Sequence, residues 1–301
     1  MIIAVVGPTG VGKTKMSIEL AKKYNAIVVN CDAMQVYKKL DIGTAKVREE
    51  EKENIPHLLF DIKNVDEEYT VYDYQKDLRR IIEENKDKNI IIVGGTGLYL
   101  KAALYDYRFQ EETTKEDFSN LSNEELYKLV KQKDPNSEIH INNRVRLERF
   151  LNKKEKENVP PIKLYDHIII GLTTDRDKLY ERINKRVDIM VEDGLIEEAK
   201  YFYDNNIKTK PLMGGIGYKE LYEYFDNKIS LEEALDKIKQ NSRHYAKRQY
   251  TFFNNQLNVN WFDVDFNDFE NTINKVINFI EEENKNDWNK KCIQRIWKNN
   301  R

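Results

Sequence analysis

The stretch that most constrains the fold lies at the start of the chain, where an apolar run leads into a glycine-rich loop. Residues Ile2–Val6 are all apolar, and Gly7–Thr14 reads Gly-Pro-Thr-Gly-Val-Gly-Lys-Thr. Apolar spacing then continues through Met16 and Leu20, as on one face of a helix. A strand, a loop of the form G-x-x-x-x-G-K-T and a helix therefore follow one another, as a phosphate-binding loop requires. An ordinary Gly-rich strand-to-helix turn is the alternative.

This loop carries the residue types that a phosphate site needs. Glycines let the backbone N–H groups wrap a phosphate, and the helix N-terminus adds its positive dipole end. Lys13 supplies a point charge to the outer phosphate, and the Thr14 hydroxyl is placed to ligate Mg²⁺. The loop therefore predicts binding of a di- or triphosphate. The predicted binding residues are Gly7, Pro8, Thr9, Gly10, Val11, Gly12, Lys13 and Thr14.

The composition indicates a soluble chain with ample material for a core. Of the 301 residues, 40% are hydrophobic and 34% are charged, and the net charge of −2 neither supports nor excludes a nucleic-acid partner. The two cysteines, Cys31 and Cys292, lie far apart and in no Cys/His cluster, which argues against a zinc site or a disulfide framework. The first apolar run is too short for a signal peptide, and no later run could span a bilayer. We therefore expect a cytoplasmic protein without membrane association.

Apolar runs that alternate with helical patterns predict an α/β fold. Strands are predicted at Ile2–Val6, Ala26–Val29, Leu58–Phe60, Asn89–Val93 and His167–Gly171. Helices of the core are predicted at Tyr72–Glu84, Leu98–Leu104, Lys178–Val191, Leu195–Asn205, Tyr218–Tyr224 and Leu231–Phe253. Such alternation is typical of a parallel sheet with helices on both faces, as in P-loop NTPases.

Polar residues follow several of these strands, at the edge where ligands of such folds collect. Asp32 follows the second strand, and Gly94–Gly97 (Gly-Gly-Thr-Gly) follows the Asn89–Val93 run. A carboxylate there can be a general base, a Mg²⁺ partner or a cap for the next turn. A nucleotide-hydrolysing enzyme usually has a second acidic residue after another strand, but the Gly94–Gly97 loop has no carboxylate. The chain is therefore expected to hold a diphosphate rather than to hydrolyse a nucleotide.

A polar stretch without strand signals interrupts the predicted core. It has helical patterns at Leu121–Lys133 and Asn142–Asn152, and Pro160-Pro161 marks its end. We predict a catalytic core of residues 1–110 and 162–281, a mostly helical insertion at 111–161 and a basic C-terminal tail at 282–301. The tail is interpreted either as a solvated end or as a nucleic-acid contact.

Further motifs follow the phosphate loop in a fixed order up to about Phe253. They are Asp32–Tyr37, Asp41–Lys46, Pro56-His57, Gly94–Tyr99, Asn142–Arg149, Arg182–Met190, Gly215–Glu220 and Tyr245–Thr251. In this combination the chain resembles the tRNA dimethylallyltransferases, also called tRNA isopentenyltransferases. Two positions depart from the family pattern: Ala33 stands where the family usually has Ser, and Phe252 where it has Trp.

The resemblance implies transfer of a dimethylallyl group from dimethylallyl diphosphate to N6 of adenosine 37, beside the anticodon of tRNA. It implies three catalytic residues: Asp32 accepts the N6 proton, Thr96 orients the amine and Lys13 stabilises the leaving diphosphate. Mg²⁺, held partly by Thr14, assists the departure. Arg182 and Arg186, four positions apart on one helix face, are either further diphosphate ligands or members of surface ion pairs.

The resemblance also implies a tRNA-binding surface, and we expect a monomer that binds the anticodon stem-loop through the core and the insertion. The expected contacts are Asp32, Ala33, Met34, Gln35, Thr96, Arg146, Arg149, Lys247 and Arg248. For each basic residue alone, a solvated helix face is the simpler interpretation, so the tRNA assignment rests on the resemblance rather than on charge. Three other functions stay open: prenylation of free adenine nucleotides, small-molecule phosphorylation, and RNA binding without catalysis.

Overall fold

In the computed structural model, which describes residues 1–109, 116–152 and 162–299 (side chains to 285), the strands form one parallel sheet. The strands are β1 (Ile2–Val6), β2 (Ala26–Asn30), β3 (His57–Leu58), β4 (Asn89–Val93), β5 (His167–Thr173) and β6 (Asn260–Asp263). Their order across the sheet is β3-β2-β4-β1-β5-β6, and every neighbouring pair is parallel. The predicted parallel α/β sheet is thus confirmed. The edge strand β6 was not predicted, because it is short and only partly buried.

Helices connect the strands and cover both faces of the sheet. They are α1 (Lys13–Tyr24), α2 (Val71–Glu84), α3 (Gly97–Leu104), α4 (Asn123–Lys133), α5 (Arg144–Leu151), α6 (Arg176–Glu192), α7 (Leu195–Asp204), α8 (Lys210–Gly214), α9 (Tyr218–Phe225), α10 (Leu231–Gln256) and α11 (Phe269–Asn299). The backbone of α11 continues through most of the segment 282–301 that was predicted as a tail. The basic side chains of that segment beyond residue 285 lie outside the described side chains.

Alternation along β1 shows how the two faces are filled. Ile2, Ala4 and Val6 belong to one hydrophobic core, and Ile3 and Val5 belong to the other. The first core packs against α2, α3, α7 and α9, and the second against α1, α6 and α11. A strand that is buried on both faces has no polar side to show, which explains the continuous apolar run at the start of the sequence.

Side-chain caps fix where several helices begin. Thr70 and Asp73 form a reciprocal capping box at the start of α2, in which the Thr70 hydroxyl accepts the Asp73 N–H. Ser230 and Glu233 form the same arrangement before the 26-residue helix α10. These caps satisfy N–H groups that the first helical turn leaves without partners.

Within the described residues, no helix has the length and apolar character needed to cross a bilayer.

The chain divides into two compact units. One contains Met1–Tyr107 and the chain from Lys163 onward, and the other is Arg108–Ile162. The smaller unit holds α4 and α5, which share a small core of Leu126, Val130 and Leu147. Arg144 ties its loops together, since its guanidinium donates to the carbonyl oxygens of Phe118 (2.7 Å) and Leu121 (2.8 Å). The residues predicted to bound the insertion, Gln110 and Pro160-Pro161, lie outside the described residues.

Candidate active site

The phosphate loop leaves β1 and enters α1 with glycines at its two critical positions. Gly7 has φ of 141°, and a Cβ there would lie 2.4 Å from the Leu172 carbonyl oxygen. Gly12 has φ of 97° and stands directly before α1. Only glycine adopts such angles without strain, and at Gly7 only glycine fits beside β5. The sequence thus forces the loop to wrap the start of α1, where backbone N–H groups are free to bind an anion.

Two basic side chains converge on this loop. Lys13 Nζ donates to the Pro8 carbonyl oxygen at 2.8 Å. Burial lowers the pKa of Lys13, the nearby Arg186 guanidinium adds to this effect and Asp32 opposes both, so that the pKa falls to about 8. Burial also lowers the pKa of Arg186, which forms no hydrogen bond or ion pair with any described residue. Two cations withdrawn from solvent, with one nearby carboxylate and no ion pair among the described residues, are costly, so this arrangement favours binding of a negatively charged ligand.

A cavity of about 330 Å³ opens beside the loop, and its wall is both charged and apolar. Lys13, Asp32, Arg186 and Arg248 supply the charges. The apolar part of the wall consists of Met34, Ala45, Val47, Phe60, Val93, Ile183, Val187, Met190, Leu195, Ile216 and Ile238. A wall of this kind suits a ligand with an anionic group and a hydrocarbon group.

Asp32 follows β2 and is held rigidly in this wall. Its backbone N–H donates to Asn30 Oδ1 at 2.9 Å, and Asn30 Nδ2 donates back to the Asp32 carbonyl oxygen at 3.0 Å. The Met34 N–H donates to Asp32 Oδ1 at 2.9 Å. The second carboxylate oxygen, Oδ2, accepts no hydrogen bond from the described residues. Asp32 therefore offers one fixed and one available oxygen, which suits a group that takes up a proton.

Thr96 lies behind Asp32 rather than in the cavity wall. Its hydroxyl accepts the Ala33 N–H at 3.0 Å, and its own N–H donates to the Cys31 carbonyl oxygen at 3.0 Å. Both bonds fix the backbone beside Asp32, and they do not depend on the Ser hydroxyl that Ala33 lacks. The direct role of Thr96 on a substrate amine stays a prediction.

Gln249 and Tyr245, on α10, belong to the site although no role was predicted for them. Gln249 is buried, with its Oε1 accepting the Thr9 N–H at 2.9 Å and its Nε2 donating to the Gly95 carbonyl oxygen at 3.2 Å. The Tyr245 phenol interacts with Thr96 and Gln249, and burial raises its pKa. The motif Tyr245–Thr251 contains both residues, but only its basic members Lys247 and Arg248 were predicted to bind the substrate.

The basic residues that were predicted to bind diphosphate or tRNA differ in whether they line the cavity. Arg186 and Arg248 line the cavity, whereas Arg182 and Lys247 do not. Arg182 Nε donates to the Gly10 carbonyl oxygen at 3.2 Å, and its guanidinium lies 3.7 Å from the Phe266 ring centroid. Lys247 is exposed. Arg146 and Arg149 are exposed on α5, in the smaller unit.

Of the remaining predicted tRNA contacts, Met34 and Gln35 line the cavity together with Asp32, whereas Ala33 does not. A cation site made by the protein alone is absent from the described residues, which contain no group of three or more His, Cys, Asp or Glu side chains placed for a metal. Thr14 lines the cavity, so a hydroxyl is available there. Mg²⁺ commonly binds through substrate phosphates and water with few protein ligands. The residues therefore fit a Mg²⁺ that arrives with a diphosphate.

Comparison with known proteins gives consistent matches along the chain. The family model described as IPP transferase matches residues 35–256. A tRNA dimethylallyltransferase of Anoxybacillus flavithermus is 45% identical over 302 residues, covering 93% of this chain and 96% of the relative. One of Bacillus mycoides is 43% identical over 303 residues, covering 93% and 94%.

Solved structures agree with these sequence matches. The full-length tRNA isopentenylpyrophosphate transferase of Bacillus halodurans has a TM-score of 0.73 at 41% identity, covering 95% of this chain and 98% of that one. A eukaryotic dimethylallyltransferase, described as acting on tRNA, has a TM-score of 0.70 at 29% identity, covering 87% and 73%.

Proposed function

Because the chain belongs to the IPP transferase family, we propose that it transfers a dimethylallyl group from dimethylallyl diphosphate to N6 of adenosine 37 in tRNA. Prenyl transfer to tRNA follows from the family, whereas the donor, the modified atom and the residue roles are our proposal. The observation that carries it is that Lys13, Asp32 and Arg186 line one cavity together with a set of apolar side chains. One cavity thereby combines an anion site, a candidate base and room for a hydrocarbon.

We assign the anionic end of the donor to the phosphate loop. Its diphosphate accepts from the backbone N–H groups at the start of α1 and from Lys13 and Arg186, neither of which forms an ion pair with a described residue. As the bond between C1 and the diphosphate oxygen breaks, negative charge grows on that oxygen. The two cations stabilise this charge more strongly in the transition state than in the ground state, which accelerates departure.

Asp32 is assigned to the acceptor side of the reaction. The N6 nitrogen attacks C1 of the dimethylallyl group and loses one proton, and the available oxygen of the Asp32 carboxylate takes that proton. The Met34 N–H on the other oxygen keeps the carboxylate in place throughout. An adenine amine is a poor nucleophile, so removal of its proton as the new bond forms lowers the barrier.

Mg²⁺ is proposed as the cofactor, with Thr14 as the protein ligand. When bound, the ion would supply further positive charge to the diphosphate. The protein's own contribution would be the Thr14 hydroxyl at the start of α1, while Lys13 and Arg186 contact the remaining diphosphate oxygens.

The tRNA is proposed to contact both units of the chain. Met34 and Gln35 are available at the cavity wall, and Arg248 lines the same cavity. Lys247, Arg146 and Arg149 are exposed cations that suit RNA phosphates. The target base must leave its stacked loop to reach Asp32. We also propose a monomer, which light scattering of the free protein would test.

Mass spectrometry of an anticodon stem-loop tests the proposed function. The unmodified RNA is incubated with the protein, Mg²⁺ and dimethylallyl diphosphate, and fragmentation locates any added group. We expect one dimethylallyl group on the adenosine beside the anticodon. Parallel reactions with AMP as acceptor, or with ATP as donor, test the free-nucleotide transferase and the kinase. Modification of AMP, or phosphate transfer with no prenyl gain on the RNA, would contradict the proposal.

A further inference from the structure

We propose that Glu198 of α7 is a positioning residue for recognition of the acceptor base, acting through the loop 41–45 and the side chain of Gln35. This inference rests on the proposed function, since it concerns how the same cavity receives its RNA substrate.

The Glu198 carboxylate is surrounded by donors from another part of the chain. Its Oε2 accepts the N–H groups of Asp41 (2.9 Å) and Ile42 (2.8 Å). Its Oε1 accepts the Gly43 N–H (2.9 Å) and the Tyr218 hydroxyl (2.6 Å). Successive N–H groups that converge in this way form a concave anion site. Here a carboxylate of the protein itself occupies that site, 155 positions further along the chain than Gly43.

Tyr218 strengthens this arrangement from the other side. Burial, together with the adjacent Glu198 carboxylate, raises the pKa of the Tyr218 phenol, which therefore stays protonated and continues to donate. The ring also lies against Gly43, where an added Cβ would come 2.7 Å from the phenol oxygen. Charge-assisted bonds of this kind are about twice as strong as neutral ones. The loop is therefore fixed by Glu198 and fitted closely onto Tyr218.

The loop that Glu198 fixes in turn holds Gln35. The Gln35 Nε2 donates to the carbonyl oxygens of Thr44 (3.0 Å) and Ala45 (3.4 Å). Because both neighbours are carbonyl oxygens, only the NH₂ side of the amide can face them. Gln35 Oε1 accepts no hydrogen bond from the described residues, and Gln35 lines the cavity. Its orientation leaves an acceptor oxygen for a ligand N–H, such as an amino group on a base edge.

These contacts form a chain from Glu198 to the acceptor side of the site. In Glu198→Gln, one of the two carboxylate oxygens is replaced by an NH₂ group. That group would face backbone N–H donors instead of accepting from them, so the loop 41–45 must move. The Thr44 and Ala45 carbonyl oxygens then no longer fix the Gln35 amide. By this argument Glu198→Gln weakens RNA binding, while the phosphate loop keeps its own contacts.

Binding of a fluorescent anticodon stem-loop, measured by anisotropy without donor, tests the inference. We expect Glu198→Gln to raise the Kd for the stem-loop roughly 10-fold, with the KM for dimethylallyl diphosphate changed less than about twofold. Glu197→Gln is the matched control: it makes the same charge change one position away, on an exposed side chain that has no hydrogen bond to the loop. We expect its Kd to equal that of the wild type.

A double-mutant cycle separates positioning from a merely structural role. In a Gln35→Met background the amide is already gone, so Glu198→Gln should raise the Kd for the stem-loop no further. Additive effects, an unchanged Kd for Glu198→Gln alone, or a loss confined to the donor KM would each overturn the inference. If Glu198→Gln unfolds below the assay temperature, Glu198→Asp replaces it, since Asp keeps the charge but is one methylene shorter.

The two proposals fail in different ways. If the wild type adds no dimethylallyl group to the stem-loop, the proposed function fails, whatever the variants do. If the wild type is active and Glu198→Gln binds the stem-loop as the wild type does, only the positioning role of Glu198 fails.

Discussion

The Thr9 N–H of the phosphate loop donates to Gln249 Oε1 at 2.9 Å, although the two residues are 240 positions apart. The other end of the same amide, Nε2, donates to the Gly95 carbonyl oxygen. Gln249 thus connects the loop assigned to the donor with the loop beside Asp32. A Cβ at position 95 would come 1.9 Å from Gln249 Nε2, so glycine there permits the contact. We interpret Gln249 as the residue that fixes the distance between the two halves of the site.

Gln249→Met should therefore impair both donor binding at the phosphate loop and the chemical step at Asp32. The substitution keeps the length of the side chain but leaves the Thr9 N–H and the Gly95 carbonyl oxygen without partners, and each unsatisfied group costs about 1–3 kcal/mol. We expect kcat/KM for the donor to fall roughly 10- to 100-fold, with a rise in KM and a fall in kcat. Steady-state kinetics with the stem-loop at saturation would measure this.

Gln256→Met is the matched control for that experiment. Gln256 is on the same helix, is exposed, and bonds only Lys101 Nζ among the described residues. Its kinetics should match those of the wild type. Wild-type kinetics for Gln249→Met would show that the two loops keep their spacing without the amide.

Asp32→Asn tests the base directly. Asparagine retains an oxygen for the Met34 N–H, so the local backbone should stay in place, but it cannot take up the N6 proton at neutral pH. We expect kcat to fall roughly 10²- to 10⁴-fold while the Kd of the stem-loop changes little. Single-turnover transfer and anisotropy binding give the two values. Turnover near that of the wild type would remove Asp32 from the proton transfer.

The sequence predicted the strand, loop and helix at the phosphate site because that segment is local. Gly7 and Gly12 have their roles within a few residues of one another, and residues Ile90–Ile92 of β4 are all apolar because the sheet buries them on both faces. The fold class follows from such patterns. By contrast, β6 is a four-residue strand with one exposed position and no buried run, so no pattern marked it.

The residues that support the cavity wall, such as Glu198 and Gln249, could not be predicted, because their contacts are with residues far away along the chain. Glu198 has the sequence context of an ordinary amphipathic helix, and nothing near it indicates three N–H partners from residues 41–43. Thr96 was expected to touch the substrate, yet its hydroxyl is engaged by the Ala33 N–H. A motif identifies loops that meet at one edge, but not which of its side chains line the cavity and which support the wall.

The lowered pKa of Lys13 predicts a pH-dependent donor KM. In the free protein Lys13 is protonated below about pH 8 and neutral above it, whereas its ordinary pKa is 10.5. A bound diphosphate favours the charged form, so above pH 8 binding must take up a proton. We expect the KM for dimethylallyl diphosphate to rise above pH 8, by at most about tenfold per pH unit.

Lys13→Met provides the reference for that pH series. Below pH 8 its donor KM should be higher than that of the wild type. Within about one pH unit of pH 8 its donor KM should change little with pH. The lowered pKa of Lys13 also makes stability depend on pH, but stability rises over the range in which donor affinity falls. The unfolded chain keeps this proton up to its ordinary pKa, so unfolding free energy should rise with pH between 8 and 10.5. A donor KM of the wild type that is flat through pH 8 would contradict the assigned role of Lys13.

Arg182 and Arg186 lie on one helix face, but the structure predicts unequal effects when each is replaced. Arg186 lines the cavity with no hydrogen-bond partner among the described residues, so its guanidinium is available for the diphosphate. Arg182 is engaged by the Gly10 carbonyl oxygen and the Phe266 ring, and it is exposed. We expect Arg186→Gln to raise the donor KM roughly 100-fold, the usual scale for loss of a buried charged partner. Arg182→Gln should raise it about fivefold or less, the scale of an exposed cation–π contact. Calorimetric titration of each variant with inorganic diphosphate gives the same comparison without turnover. Equal losses of diphosphate affinity in the two variants would contradict the assignment of Arg186 as the more important diphosphate ligand.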